Sequence, residues 1–497
     1  MKNLIKVRIS VYIDLKFIDS TLGIRMGVLT KGAGAREIDE DLIHTKNIKY
    51  VPMLTSVLDI LIQPNLLTLN LKILSRLSSV SENVSSDFTS FLSTAMTKLP
   101  NIRSLTLCSH NSVNLLPHCT NEHLELIGRY CPELVFLDVS FNQNITGEGL
   151  WCLVPNEEKF QPGCAKLEKL YMFDCGVYEK DVAKVVYKFP YLNYLGYKET
   201  GKMLKTLFKS MENGEGEFQE LKLTHVDNLG SKTRRFIPAA LRCKRPVALA
   251  ISVLCPNVQN VKLRVCDDDV ANLCSLSDIE AVEFLYHANN IGSPGQQTQR
   301  FFCVRGNQLT SIALTCNTMS MVMLSCIAEN CANLKQLWSK SNHLMAPYDE
   351  EDTVTEHSCL KKLNGLYLSV GSGVLPTTLP EYVIPYVLRN AKGLTELVIA
   401  VRSVTIDDRY VQRLILDCEL FQLEKVMIVV PGLNSIRGIL KLKVNTIHAL
   451  MDWCPNLRKL GNLLSWNVDK ADVLEVEQII SEMNYDLELV NKKMTMR

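Results

Sequence analysis

The chain has 497 residues, with 54 Lys and Arg against 53 Asp and Glu and a formal net charge of +1. That balance excludes any argument from charge for nucleic acid or an anionic membrane surface as partner. Length alone would predict about three globular domains, but an apolar pattern recurring about every 30 residues replaces that count with one elongated α/β solenoid.

Residues 1–46 stand ahead of the repeat and read as a leader or amino-terminal cap. Alternation of Val7, Ile9, Val11 and Ile13 predicts a strand, and the Gly-rich segment 30–35 a loop. Lys6, Arg8, Asp14, Lys16 and Asp19 interrupt any apolar run long enough for a secretory signal, so an intracellular protein, cytoplasmic or nuclear, is expected. From Tyr50 a helical stretch with Leu54, Val57, Leu58 and Leu61 leads through Pro64 and Asn65 to Leu66, Leu69 and Leu71. This is the first strand of a solenoid expected over 47–465 in about 14 irregular repeats.

Further strands are predicted from Ile102, Leu134, Leu167, Leu192, Phe218, Val258, Ile279, Leu309, Leu334, Leu363, Leu394, Leu423 and Leu457. Each has an apolar residue three positions on and usually another at five; the spacing around Phe218 and Ile279 is the least regular. The clearest repeat lies over 121–150. Leu124, Leu126, Ile127 and Tyr130 fall near helical spacing, Cys131 and Pro132 end that helix, and Leu134, Leu137 and Val139 reach one face only if the chain is extended.

Eight residues after the leading strand position stand His110, Asn142, Cys175, Cys266, Asn317 and Asn342, residue types able to satisfy backbone amides buried where strand turns to helix. Gly371, Arg402 and Pro431 depart from that pattern. Segments 210–218, 292–299 and 344–358 interrupt the period and read as solvated loops, the last carrying Asp349, Glu350, Glu351 and Asp352. The uncharged run 306–328 carries the strand pattern and is assigned to the solenoid, not to a membrane span. Residues 466–497, with Trp466 and a helical stretch over 470–483, are expected to cap the last apolar surface.

Of the 17 cysteines, Cys131, Cys164, Cys255, Cys331 and Cys454 share one place in the repeat, just before the strand. Position explains them better than pairing, and they read as reduced, buried thiols.

The stretches 131–150, 255–266 and 331–342 resemble the cysteine-containing leucine-rich repeat of F-box receptor proteins and their ribonuclease-inhibitor-like relatives, a resemblance that covers about 50–465 of the chain. It implies a curved solenoid with a parallel sheet on the concave face and helices on the convex face. By similarity it also implies a non-enzymatic protein-interaction module, a substrate-recognition subunit of a cullin-RING ubiquitin ligase whose partners include cullin-RING adaptor proteins. The family's F-box, a helical segment opening with a Leu-Pro-type motif, is not recognisable in residues 1–60. Two alternatives stay open: a leucine-rich repeat scaffold unconnected to ubiquitin, and an enzyme with a pocket between repeat insertions.

Chemistry-bearing constellations are sparse. Cys108, His110, His118, Cys119 and His123 offer zinc-ligand types without finger spacing, so no metal is expected. Neither a nucleophile elbow, a catalytic-cysteine signature nor a phosphate-cradling glycine loop occurs, so no catalytic residue or cofactor is assigned. Lys232, Arg234, Arg235, Arg242, Lys244 and Arg245 read as a solvated helix face and loop, with no nucleic acid or membrane as partner. Side-chain alternation instead points Phe136, Tyr171, Tyr194, Trp338 and Tyr367 out of the concave sheet. Exposed aromatics on a rigid sheet serve as anchors for a protein partner, and lateral stacking is their ordinary structural role. Glu168, Lys169, Glu220, Lys222, Lys335 and Glu396 surround them with mixed charge, which favours a protein over a polyanion.

Overall fold

The computed structural model describes residues 8–10, 67–70, 82–107, 119–156, 161–215, 219–228, 247–286, 292–345, 360–371, 381–401, 406–430 and 440–490. The chain divides into two compact units, one of residues 1–234 with 253–255, the other of residues 235–252 with 256–497. Each is an α/β repeat array built on parallel strands in sequence order, the leucine-rich repeat construction expected.

In the first unit the strands are β1 (Arg8–Ser10), β2 (Thr68–Asn70), β3 (Ser104–Thr106), β4 (Phe136–Asp138), β5 (Lys169–Tyr171), β6 (Tyr194–Gly196) and β7 (His225–Asn228). Strands β3 to β6 begin two residues after their leading apolar residue, because that residue still closes the preceding turn. The Leu134 amide, for example, donates to the Cys131 carbonyl at 3.2 Å. Strand β7 corrects the expected start at Phe218, a residue outside those described. Tyr194 pairs with His225, so Leu223 leads that repeat and Val226 follows three residues later, both buried. The sequence around them offers two overlapping apolar frames, and pairing with β6 selects the later.

The helix Asn121–Tyr130 buries Leu124 and Ile127, and ends at Cys131, whose amide donates to the Ile127 carbonyl at 2.9 Å. Cys131, Cys164, Cys255, Cys331 and Cys454 are all buried free thiols. The Cys164 Sγ points at the Cys131 carbonyl (3.7 Å) and the Cys454 Sγ at the Leu420 carbonyl (3.6 Å), each in the equivalent place one repeat earlier. A thiol here is therefore a small apolar plug with a weak donor. Burial pushes Cys131, Cys255 and Cys454 up to about 12, which keeps them protonated and unreactive at neutral pH.

The second unit contains β8 (Asn260–Val265), β9 (Ala281–Tyr286), β10 (Ser311–Ser320), β11 (Gln336–Met345), β12 (Gly365–Val370), β13 (Glu396–Val401), β14 (Lys425–Val429), β15 (Lys459–Gly461) and β16 (Glu488–Val490). The uncharged run at 306–328 forms β10 and part of the helix Met321–Asn330, and no described helix is long and apolar enough to cross a membrane. Gly371 stands where other repeats place Asn or Cys and takes φ +92°, a conformation that favours glycine; its amide donates to the Ser341 carbonyl at 2.8 Å. Arg402 and Pro431 lie outside the described residues.

Two expectations change here. Segment 292–299, read as a loop, starts the helix Gln296–Arg305. Its amino-terminal donors go to Asp267 of the preceding repeat, whose carboxylate accepts from the amides of Gly295, Gln297 and Thr298 at 2.7–3.0 Å. A cap supplied from 28 residues away leaves no local start signal. The segment 466–497 carries the expected helix, Lys470–Glu482, and then β16, which extends the sheet by pairing with β15. Asp486 occupies the leading position of that last repeat, so no leucine marks it.

Candidate functional site

Strand alternation sorts the sheet residues onto two faces. In the first unit Leu137, Leu170 and Leu195 enter the core under the helices, which sends Phe136, Tyr171 and Tyr194 to the other face as expected. The register sets Phe136, Lys169, Tyr194 and His225 in one row and Asp138, Tyr171 and Gly196 in the next. Tyr171 therefore stands diagonally between Phe136 and Tyr194. Its ring stacks on Tyr194 (centroids 4.7 Å, 24°) and meets Phe136 at 5.3 Å.

Two further rings join this ladder: Phe173 at 6.4 Å from Tyr171, and His225 at 5.6 Å from Tyr194. Gly196 makes room for it, since a Cβ there would approach Phe173 and Tyr171 to 2.8 and 2.9 Å. Spacing counted from Phe218 does not bring His225 onto this face; pairing with Tyr194 does. Phe173 lies past the end of β5, where alternation no longer reports a side chain's direction. Burial, the neighbouring Tyr194 and Asp138 raise the Tyr171 hydroxyl to about 12, so Tyr171 is uncharged at neutral pH.

In the second unit Trp338 and Tyr367 are direct cross-strand partners on β11 and β12, stacked at 3.5 Å with 9° between their planes. Beyond Tyr367 the Lys425 Nζ lies 5.6 Å from the ring centroid and 3.0 Å from the Glu396 carboxylate, which also accepts from the Tyr367 hydroxyl. Burial works against the Glu396 charge, yet the bonds from Tyr367 and Lys425 outweigh it and hold that carboxyl below its usual range. Trp338 as a whole remains 42% exposed.

At β13 and β14 this same face is buried. Val398, Ala400, Met427 and Val429 lie on the same side as Tyr367 and are at most 5% exposed, clustered with Val490. Their strands read as nearly unbroken apolar runs, the pattern of strands covered on both faces. The aromatic positions and this apolar patch thus have different environments, although both occupy the non-helical face.

Of the zinc-type cluster, Cys108, His110 and His118 lie outside the described residues. His123 is part of a helix cap. Its Nδ1 accepts from the Thr120 amide at 3.0 Å and sits 2.9 Å from the Thr120 hydroxyl, while Nε2 is 3.2 Å from the Thr89 hydroxyl. Burial pulls its pKa down from 6.5 to about 4, so the folded ring is neutral. The unfolded ring takes up its proton near 6.5, so this stabilisation is complete above that pH and is lost as pH falls toward 4, on the order of 3 kcal/mol in all. Urea midpoints of the wild type should accordingly fall between pH 6.5 and 4 relative to those of His123→Gln; parallel profiles would dismiss the effect. The basic cluster 232–245 also lies outside the described residues.

No group of three or more His, Cys, Asp or Glu among the described residues is arranged to hold a metal ion. The large pKa shifts fall mainly on thiols and tyrosines in separate repeats, moved first by burial.

No family model matches the sequence, and no curated protein matches it. Among solved structures the chain is similar to a leucine-rich repeat protein of Leptospira interrogans, at 14% identity and TM-score 0.39, over 90% of this chain and 100% of that one. It is similar to a chain of the yeast Rad7 and Elc1 complex at 14% identity and TM-score 0.38, over 79% and 94%. A third likeness is to the TLR13–ssRNA13 complex, at 13% identity and TM-score 0.37, over 76% of this chain and 58% of that chain.

Proposed function

We propose that the chain is a non-enzymatic protein-interaction module that binds through the sheet face opposite its helices. The observation that carries this reading is the ladder Phe136, Tyr171, Tyr194 and His225, four rings on successive strands held in fixed register. Rigid aromatic side chains lose little conformational entropy on binding and are enriched among interface anchors. The Trp338–Tyr367 stack offers a second anchor of the same kind. Lys169, Asp138 and Asp227 give the ladder a mixed charge, which suits a protein surface better than a polyanion.

The test is affinity purification of the full chain from cells, with mass spectrometry, beside Tyr171→Ala combined with Tyr194→Ala. Proteins recovered with the wild type should fall by about tenfold or more with the double variant, while its thermal unfolding stays close to the wild type because both rings are partly exposed and outside the core under the helices. Equal recovery would remove the ladder as a binding site. Service as a substrate receptor of a cullin-RING ligase rests on the sequence resemblance alone. The same experiment decides it: cullin-adaptor proteins recovered with the wild type support the receptor, and a partner set without them favours a scaffold.

A further inference from the structure

Across the second unit, Lys262, Glu283, Ala313, Trp338 and Tyr367 form one row, a residue from each of β8 to β12. Their strand neighbours Leu263, Phe284, Leu314 and Leu337 are buried in the core, so the row lies on the non-helical face. One face of the Trp338 indole is covered by Tyr367 at 3.5 Å; the other looks along the row toward Ala313. There the side chain is a single methyl, and the next residue is Glu283.

Strands are spaced about 4.8 Å apart, so the Trp338 and Glu283 columns stand about 10 Å apart over a methyl floor. A planar group stacked about 3.5 Å from the indole would leave about 6 Å to the Glu283 column, within reach of a carboxylate leaning inward. Glu283 is held from its far side, where its Oε2 meets the Lys262 Nζ at 3.2 Å. Its Oε1 has no partner among the described residues.

We propose that this slot between Trp338 and Glu283 receives an arginine side chain from a protein partner. A guanidinium is the side chain that satisfies both walls: it is flat and weakly hydrated enough to stack on an indole, and its edge donates to a carboxylate. A lysine ammonium can pair with Glu283 but has no plane to stack, and a phenyl ring can stack but leaves the carboxylate desolvated. A nucleobase also stacks, yet it would bring phosphate toward Glu283. Lys340, two residues past Trp338 on β11, adds a like charge about 7 Å along the strand. An acidic residue beside the partner's arginine would offset it. The assignment rests on the sheet-face reading above and gives it a partner chemistry.

The full chain labelled with 5-fluorotryptophan will show a ¹⁹F signal for each of its four tryptophans, Trp338 being assigned through Trp338→Phe. Titration with N-acetyl-arginine amide should move the Trp338 signal saturably at millimolar concentration. N-acetyl-lysine amide should bind about fivefold more weakly or less. Ala313→Leu should fill the slot and abolish the shift, and Glu283→Gln should weaken it about fivefold. The other three signals report whether each variant is folded, and if Ala313→Leu loses them Glu283→Gln alone decides.

Equal binding of the two amides, or a response untouched by either slot variant, would overturn the arginine assignment. Adenosine monophosphate binding as tightly as the arginine amide would make this a base-stacking slot instead. Partner recovery that depends on Trp338 without an arginine response would keep the sheet-face reading and discard this slot. An arginine response with recovery indifferent to the aromatic anchors would do the reverse.

Discussion

Replacing Asn142 with alanine should destabilise the first unit by about 3–5 kcal/mol. The side chain is buried and serves four backbone groups. Its Oδ1 accepts from the Cys119 amide at 2.9 Å, and its Nδ2 faces the carbonyls of Leu107 (3.1 Å), Val139 (2.8 Å) and Ser140 (3.2 Å). Removing it strands one amide and up to three carbonyls away from water, each orphan costing about 1–3 kcal/mol before relaxation. Asn142→Asp separates shape from chemistry: the carboxylate has nearly the same shape but turns an oxygen toward three carbonyls, so it should be at least as damaging as alanine. Because the chain has two units, one global unfolding energy is not well defined. The measurement is hydrogen exchange resolved by segment, in which β3 to β5 should lose protection while β11 to β14 keep theirs, as nearest-neighbour stability in a repeat array requires. Wild-type protection in both variants would show that the turn does not depend on this amide.

Trp466→Ala should have the corresponding effect in the second unit, about 3–5 kcal/mol. Trp466 is 1% exposed, and its Nε1 donates to the Ile428 carbonyl in β14 at 2.9 Å. Truncation opens a cavity and orphans that carbonyl together. Trp466→Phe keeps most of the volume and loses the donor, so its smaller effect, about 1–3 kcal/mol, isolates the hydrogen bond. Exchange at Lys425–Val429 reads the loss directly. If phenylalanine proves as damaging as alanine, the donor outweighs the packing; if it is neutral, the bond contributes nothing net.

Much of this architecture was legible because a repeat states its own period. Leu134, Leu137 and Val139 mark a strand whose alternate residues must be buried, and each is fully so. The same alternation placed Phe136, Tyr171, Tyr194, Trp338 and Tyr367 on the non-helical face, because a side chain's side of a strand follows from counting. Asn142 could be read as a turn residue from its interval alone. That reading expected it to satisfy amides; in the structure it satisfies one amide and mainly carbonyls.

What counting could not supply was anything decided by a neighbour distant in sequence. Asp267 caps a helix 28 residues later, Tyr194 chooses the frame of β7, and Gly196 opens the space into which Tyr171 and Phe173 lean. Val398 and Met427 alternate like solvent-facing residues yet are buried, since alternation reports which face a residue is on and not what covers that face. The sequence by itself determined the parallel α/β repeat and which side chains leave its core, because periodicity is local and strand geometry converts it directly into a face. Only the tertiary structure decided register, long-range caps and which parts of that face stay open, because those depend on contacts between residues about one repeat or more apart.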